Sequence, residues 1–266
     1  PPVDPEATPI AHLPLLPPGL AYFLQQALSA LPAAAVYALL ASAYALIYGL
    51  NGRIILTFGE FSALGAAAAV VGVALVFSLA PSTPASGLAI AFLVAIAVSA
   101  IHGFAMGRFV LRHLDKANGQ QVLIATIGLA IALSEYLRLA QGVELRWLPP
   151  VFNEPLPLAR AENFIVTTTP VGLAMTAGGL AAALALIHYL RRSAYGRAWR
   201  AVADDARTAA LFGVDARAVH DRAVIIACAA CGAAGVIVTV IYGGMGFSGG
   251  FTLGLKALVA AVLGGI

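Results

Sequence analysis

The stretch "AVIIACAACGAAGVIVTVIY", residues 223–242, runs for twenty residues without a charge, between "HDR" at 220–222 and "GGMG" at 243–246. As a helix it would rise about 30 Å, the thickness of the hydrocarbon core of a bilayer. It is apolar on every face, so it has no side that would prefer water. Windows of the same character place further spans near 29–50, 54–79, 88–110, 121–139 and 171–190, with a seventh opening near 253. The 54–79 window contains Glu60 and two early glycines, which leaves a broken or re-entrant segment open there.

Composition agrees with this reading. The 266 residues are 61% hydrophobic and 10% charged, with a mean hydropathy of +0.92, too little polar material to clothe a water-soluble globule of this size. Outer-membrane barrels show short alternating segments, whereas these runs are continuous and rich in Ala and Leu. The expected fold class is all-α, a polytopic transmembrane helical bundle of about seven spans.

Cys228 and Cys231 lie inside the 223–242 run with no second pair and no histidine beside them, so they read as small packing residues rather than a metal or redox site. Residues 1–28 form a Pro-rich segment followed by one membrane domain, 29–266. Arginines and lysines set the orientation. Arg108, Arg112 and Lys116 flank the third-to-fourth connection, seven arginines fill 191–222, Arg53 lies in the first-to-second turn, and residues 1–52 carry none. These connections share the cytoplasmic side and the N-terminus lies outside. The 141–170 connection, with four prolines before Thr167 and Trp147 at its edge, reads as an ordered external loop.

Between two apolar spans stands "GRAWRAVADDARTAALFGVD", residues 196–215. At 100° per residue, Trp199, Val202, Ala203, Ala206, Ala209, Ala210 and Gly213 fall on one side, and Arg197, Arg200, Asp204, Arg207 and Thr208 on the other. Arg200 and Asp204 are spaced to pair. The segment is either a surface helix on the lipid headgroups or a docking helix whose polar face meets a cytosolic partner. Acids mixed among the arginines, with no aromatic platform, exclude a nucleic-acid surface.

Taken with its surroundings, this stretch resembles a known family. "RRSAYGRAWRAVADDARTAALFGVDARAV" (191–219) and "GGMGFSGGFTLGLKALVAAVLGGI" (243–266) look like the C-terminal half of branched-chain amino acid ABC transporter permeases. "YALLASAYALIYGLNGRIILTFGEFSALGA" (37–66) and "VLIATIGLAIALSEYLRLAQG" (122–142) are similar to the front half, in order. The resemblance implies that 191–222 is the coupling segment of an importer permease, with Gly196, Arg197, Arg200, Ala201, Asp204, Ala209, Gly213 and Val214 matching the pattern. A rigid amphipathic helix would suit that task. It further implies cytosolic ATP-binding subunits that carry the ATP and Mg, a second permease subunit, a periplasmic solute-binding protein, a seat in the bacterial inner membrane, and at least one more span after Ile266. No cofactor is expected in this chain, which lacks the Gly-x-x-x-x-Gly-Lys-(Ser/Thr) phosphate loop.

The translocation path is expected near Asn51, Phe58, Gly59, Glu60 and Lys256. At the 51–61 turn the chain keeps the family's Phe, Gly and Glu but lacks its Asn and His. Lys256 is read as facing an aqueous path or a subunit interface, or as snorkelling to the outer interface. Glu135 and Arg138 are expected to satisfy each other. Branched-chain amino acids are the expected cargo, with urea or short amides as the alternative. A stand-alone ion-coupled transporter would call for paired mid-membrane acids and inverted repeats, which the sequence does not display.

Overall fold

The computed structural model describes residues 13–79, 84–114, 117–144, 146–148, 154–161 and 164–265. Lys116 and residues 1–12 of the Pro-rich start lie outside them. Eight helices follow in order: α1 (Pro18–Asn51), α2 (Phe58–Leu79), α3 (Pro84–Phe109), α4 (Gly119–Gln141), α5 (Pro170–Arg192), α6 (Ala194–Leu211), α7 (Ala216–Tyr242) and α8 (Gly249–Leu263). A 3-10 turn, Leu111–Leu114, separates α3 from α4. Six of the helices are long and apolar enough to cross a membrane, and α8 is a shorter apolar one.

Local chemistry sets the helix ends. Pro18 and Pro170 occupy first-turn positions, where a missing N–H costs nothing. Asn118 and Gln121 close a reciprocal capping box on α4, Thr169 caps α5, and the Asp215 carboxylate accepts from the amides of Arg217 and Ala218 at the start of α7. Gly52 (φ +60°) and Gly243 (φ +84°) turn the chain out of α1 and α7 in the left-handed region that only glycine enters freely. The first span begins at Pro18, well before the expected 29. Polar Gln25 and Gln26 ended the apolar window there, yet Gln25 exchanges two hydrogen bonds with the backbone of Thr167 and so remains helical.

Helix α7 is the centre of the bundle, packed against α1, α2 and α3. Small residues bring the axes close. A Cβ on Gly235 would lie 2.0 Å from the Ser62 carbonyl oxygen, and one on Gly65 would lie 2.5 Å from the Gly232 Cα. Lipid offers no hydrophobic force between helices, so such van der Waals fit carries the association. Cys228 and Cys231 are fully buried and unbridged, and the Cys228 side chain fills the space left by Gly103. Buried hydroxyls bond locally: Ser62 donates to the Gly59 carbonyl and Thr239 to the Gly235 carbonyl.

The second span is a continuous helix, not a broken one. It starts at Phe58, four residues later than expected, because the chain leaves α1 at Gly52 and runs non-helically to Thr57 before coiling. Ser62 and Gly65 lie against Gly235 and Gly232, so α2 begins level with the middle of the 223–242 run. Helix α8 also begins at that depth, with Gly250 and Gly254 against Gly59.

The bundle has a basic end and a hairpin end. At the basic end Arg112 pairs with Asp221, Arg53 donates to the Leu114 carbonyl, and Asn51 bonds His220. The third-to-fourth and fifth-to-sixth connections therefore meet, as the arginine distribution requires. At the other end β1 (Leu156–Arg160) and β2 (Ile165–Thr168) form an antiparallel hairpin, extended by a parallel bridge from Leu15 to Arg160. This small sheet is the one departure from an all-helical chain among the described residues.

Candidate functional site

Two places hold the residues singled out in the sequence. The first is the basic end, where α6 lies against the bundle. Its anchor is Trp199, whose Nε1–H donates to the Leu46 carbonyl at 3.1 Å while its ring lies over Gly49. Tyr195 is buried one turn earlier, donates its hydroxyl to the Val219 carbonyl at 3.1 Å, and stacks on Tyr189. Burial pushes the Tyr195 phenol above its usual pKa, with the neighbouring Tyr189 adding to the rise and Arg222 opposing it. Gly196 is required by contact, since a Cβ there would lie 1.8 Å from the Leu190 carbonyl oxygen.

Residues expected to point away do so: Arg197, Arg200 and Asp204 are exposed, Ala201 is half-buried and Ala209 is buried. Three expectations change. Arg200 does not pair with Asp204; it donates to the Leu190 carbonyl at 2.6 Å, capping the open end of α5. The segment is not one rigid rod, because Asp205 has extended backbone (φ −155°, ψ 103°) and divides it. The Asp205 carboxylate accepts from the Arg207 amide and the Thr208 hydroxyl, so it caps a second short helix. Those bonds, led by the one from Thr208, hold its pKa below the usual carboxylate value. Beyond the break the register turns, leaving Ala206 and Ala210 exposed. Gly213 (φ +82°) closes this piece, and the Val214 amide bonds the Ala209 carbonyl.

Behind α6 is a cavity of about 360 Å³ lined by Leu50, Asn51, Arg53, Arg112, Val202 and His220. Asn51 therefore belongs to the basic end and is not grouped with Glu60.

The second place is the crossing of α2 and α8. A Cβ on Gly59 would lie 2.1 Å from the Gly250 carbonyl oxygen, and Tyr44 donates its hydroxyl to the Gly254 carbonyl at 3.2 Å. Phe58 is fully buried and meets Tyr44 edge to face at 5.2 Å. Glu60 is 1% exposed; the Phe251 amide donates to its carboxyl, and its Oε2 has no partner. Lys256 is not brought to this crossing. It is exposed on α8, on the face opposite buried Gly250, Gly254, Ala257 and Ala261. From this crossing α8 runs toward Leu190 and Trp199 at the basic end and carries Lys256 with it. Glu135 and Arg138 pair at 2.6 Å, as expected.

The sequence that builds this bundle matches the family model "Branched-chain amino acid transport system / permease component" over residues 26–266. This chain belongs to that family. The permease is 32% identical over 245 residues to the high-affinity branched-chain amino acid transport system permease protein LivH of Escherichia coli K12, covering 92% of this chain and 80% of that protein. LivH of Salmonella typhimurium gives the same figures. BraD of Pseudomonas aeruginosa, a permease protein of the same description, is 29% identical over 250 residues, with 94% and 81% covered. No solved structure matches the chain. This permease is thus a multi-pass membrane transport protein and not a catalytic enzyme.

Sequence reasoning missed Tyr195, Gly49 and the Asp205 cap. The cap had a signal: Asp followed three residues later by Thr, inside a run of alanines that would otherwise stay helical. Tyr195 and Gly49 had none, because their partners are distant in the chain.

Proposed function

We propose that this permease is the membrane subunit of an ATP-driven importer of branched-chain amino acids in a bacterial inner membrane. Residues 191–222 are its coupling segment, and its membrane domain starts with α1 at Pro18. The basic end faces the cytosol, and ATP and Mg are bound by a partner subunit. Two cytosolic ATP-binding subunits grip the exposed arginines of α6, a second permease completes the pore, and a periplasmic binding protein delivers substrate to the hairpin end. The names of the relatives favour branched-chain amino acids over urea or amides.

One observation carries the reading. α6 is bonded to α1 through Trp199 and to α7 through Tyr195 while its charged face stays open. A force applied to that face reaches two central helices without passing through a loose loop. The break at Asp205 makes the segment two short levers rather than one rod.

Co-expression with the neighbouring transport genes and reconstitution in proteoliposomes tests this. ATP-dependent leucine uptake that requires the binding protein is expected. Replacing Asp204 by Lys and Arg207 by Glu, both exposed on α6, should abolish uptake while the purified permease keeps its melting profile. Full uptake by that double variant overturns the coupling role.

A further inference from the structure

Helices α2 and α8 begin alike. Each opens on Gly-x-Phe-(Ser/Thr), Gly59–Ser62 and Gly249–Thr252, after a non-helical stretch that returns from one end of the bundle to its middle. From their contact at Gly59 and Gly250 they leave in opposite directions, α8 toward Leu190 and Trp199 at the basic end. The positive ends of two helix dipoles therefore meet at the centre of the bundle. Such an arrangement favours negative charge, and Glu60 places a carboxyl group there.

Glu60 is not fully satisfied. One oxygen is held by the Phe251 amide, but Oε2 has no partner although the residue is 1% exposed. That oxygen points into the first turn of α8, where a Cβ on Gly250 would lie 2.9 Å from it. An unpaired carboxylate oxygen at this depth is costly, and such groups persist where function requires them. The α8 terminus is open as well, since Ser248 makes no side-chain capping bond.

We infer that the α2–α8 crossing grips the polar head of an α-amino acid during transport, Glu60 accepting its ammonium group and the first-turn amides of α8 its carboxylate. The inference rests on reading the chain as an amino-acid importer. In the arrangement described here the crossing is shut by backbone contact between Gly59 and Gly250. Substrate enters when α8 separates from α2. Separation breaks the bond between Phe251 and Glu60, leaving an acceptor and a donor exposed together. A zwitterion matches both with charge-assisted bonds, and bare glycine on both helices lets it approach the backbone.

The test uses the full complex in nanodiscs with labelled L-leucine and no binding protein, trapped with vanadate. Two analogues compete: isopentylamine, which is leucine without its carboxylate, and 4-methylpentanoate, which is leucine without its ammonium. Glu60→Gln should weaken leucine binding at least tenfold and remove competition by isopentylamine, while competition by 4-methylpentanoate stays as in wild type. Glu60→Asp, which keeps the charge, should retain competition by the amine and guards against a folding defect in the first variant. Equal loss of both analogues, or amine competition lost in Glu60→Asp, overturns the inference. Leucine uptake by the wild-type complex, measured first, tests the importer reading separately. Its absence sinks both readings, whereas uptake combined with wild-type leucine binding by Glu60→Gln sinks this one alone.

Discussion

Gly49 decides whether α6 can stay docked. A Cβ added there would lie 2.6 Å from Cζ2 and 2.7 Å from Cη2 of Trp199, against the roughly 3.5–4.0 Å of ordinary carbon contact. In Gly49→Ala the indole must retreat by about 1 Å, which stretches its 3.1 Å bond to the Leu46 carbonyl past hydrogen-bonding range. Loss of that bond costs about 1 kcal/mol, and forcing a methyl into a packed contact adds about 1–3 kcal/mol. The docked state should therefore lose about 2–4 kcal/mol, a factor of roughly 30 to 1000 in its ratio to the undocked state. The assay is fluorescence in a Trp147→Phe background, where Trp199 is the sole tryptophan. Gly49→Ala should shift the emission to the red and raise acrylamide quenching, and leucine uptake should fall in parallel. Trimming the ring with Trp199→Leu should make the added methyl nearly neutral, so the two changes combine less than additively. Unchanged emission and quenching in Gly49→Ala would refute the docking geometry.

Three further outcomes follow from other contacts. Gly235→Ala places a Cβ 2.0 Å from the Ser62 carbonyl oxygen, an atom of rigid backbone; the purified variant should lose about 3 kcal/mol or more of bundle stability, read as a lowered Tm in detergent. The Arg112–Asp221 pair is partly exposed, so a double-mutant cycle to Ala should return a coupling of about 1 kcal/mol and no more, with additive losses counting against the contact. Asp205→Ala removes the cap that breaks α6, and spin labels at positions 197 and 211 should move apart as the segment straightens; an unchanged distance would assign the break to packing instead. The same cap depends on pH. The Asp205 pKa is depressed in the folded chain, so its contribution is present above the unfolded value of about 3.9 and is lost as pH falls through the lower folded value. The spin-label distance should lengthen only at strongly acidic pH, and Thr208→Val should move that transition upward.

Much of this permease was legible in one dimension. Uncharged runs of bilayer length fixed the helical bundle, because a backbone in hydrocarbon must satisfy its own hydrogen bonds. Arginine placement put the third-to-fourth and fifth-to-sixth connections at one end, and the 100° periodicity put Trp199 and Val202 on the docked side of α6. The β1–β2 hairpin was hidden, since a five-residue strand paired across a turn leaves no mark in a window tuned to spans.

Partnership between distant residues was decided only in three dimensions. Sequence placed Asn51, Phe58, Gly59, Glu60 and Lys256 on one path, yet the fold sends Asn51 to His220, leaves Lys256 exposed and brings Phe58, Gly59 and Glu60 to the α8 crossing. Spacing along a chain reports which groups share a helix face. Which helix lies against that face depends on glycines such as Gly59 and Gly250 letting two backbones touch, a property of both surfaces that neither segment carries alone.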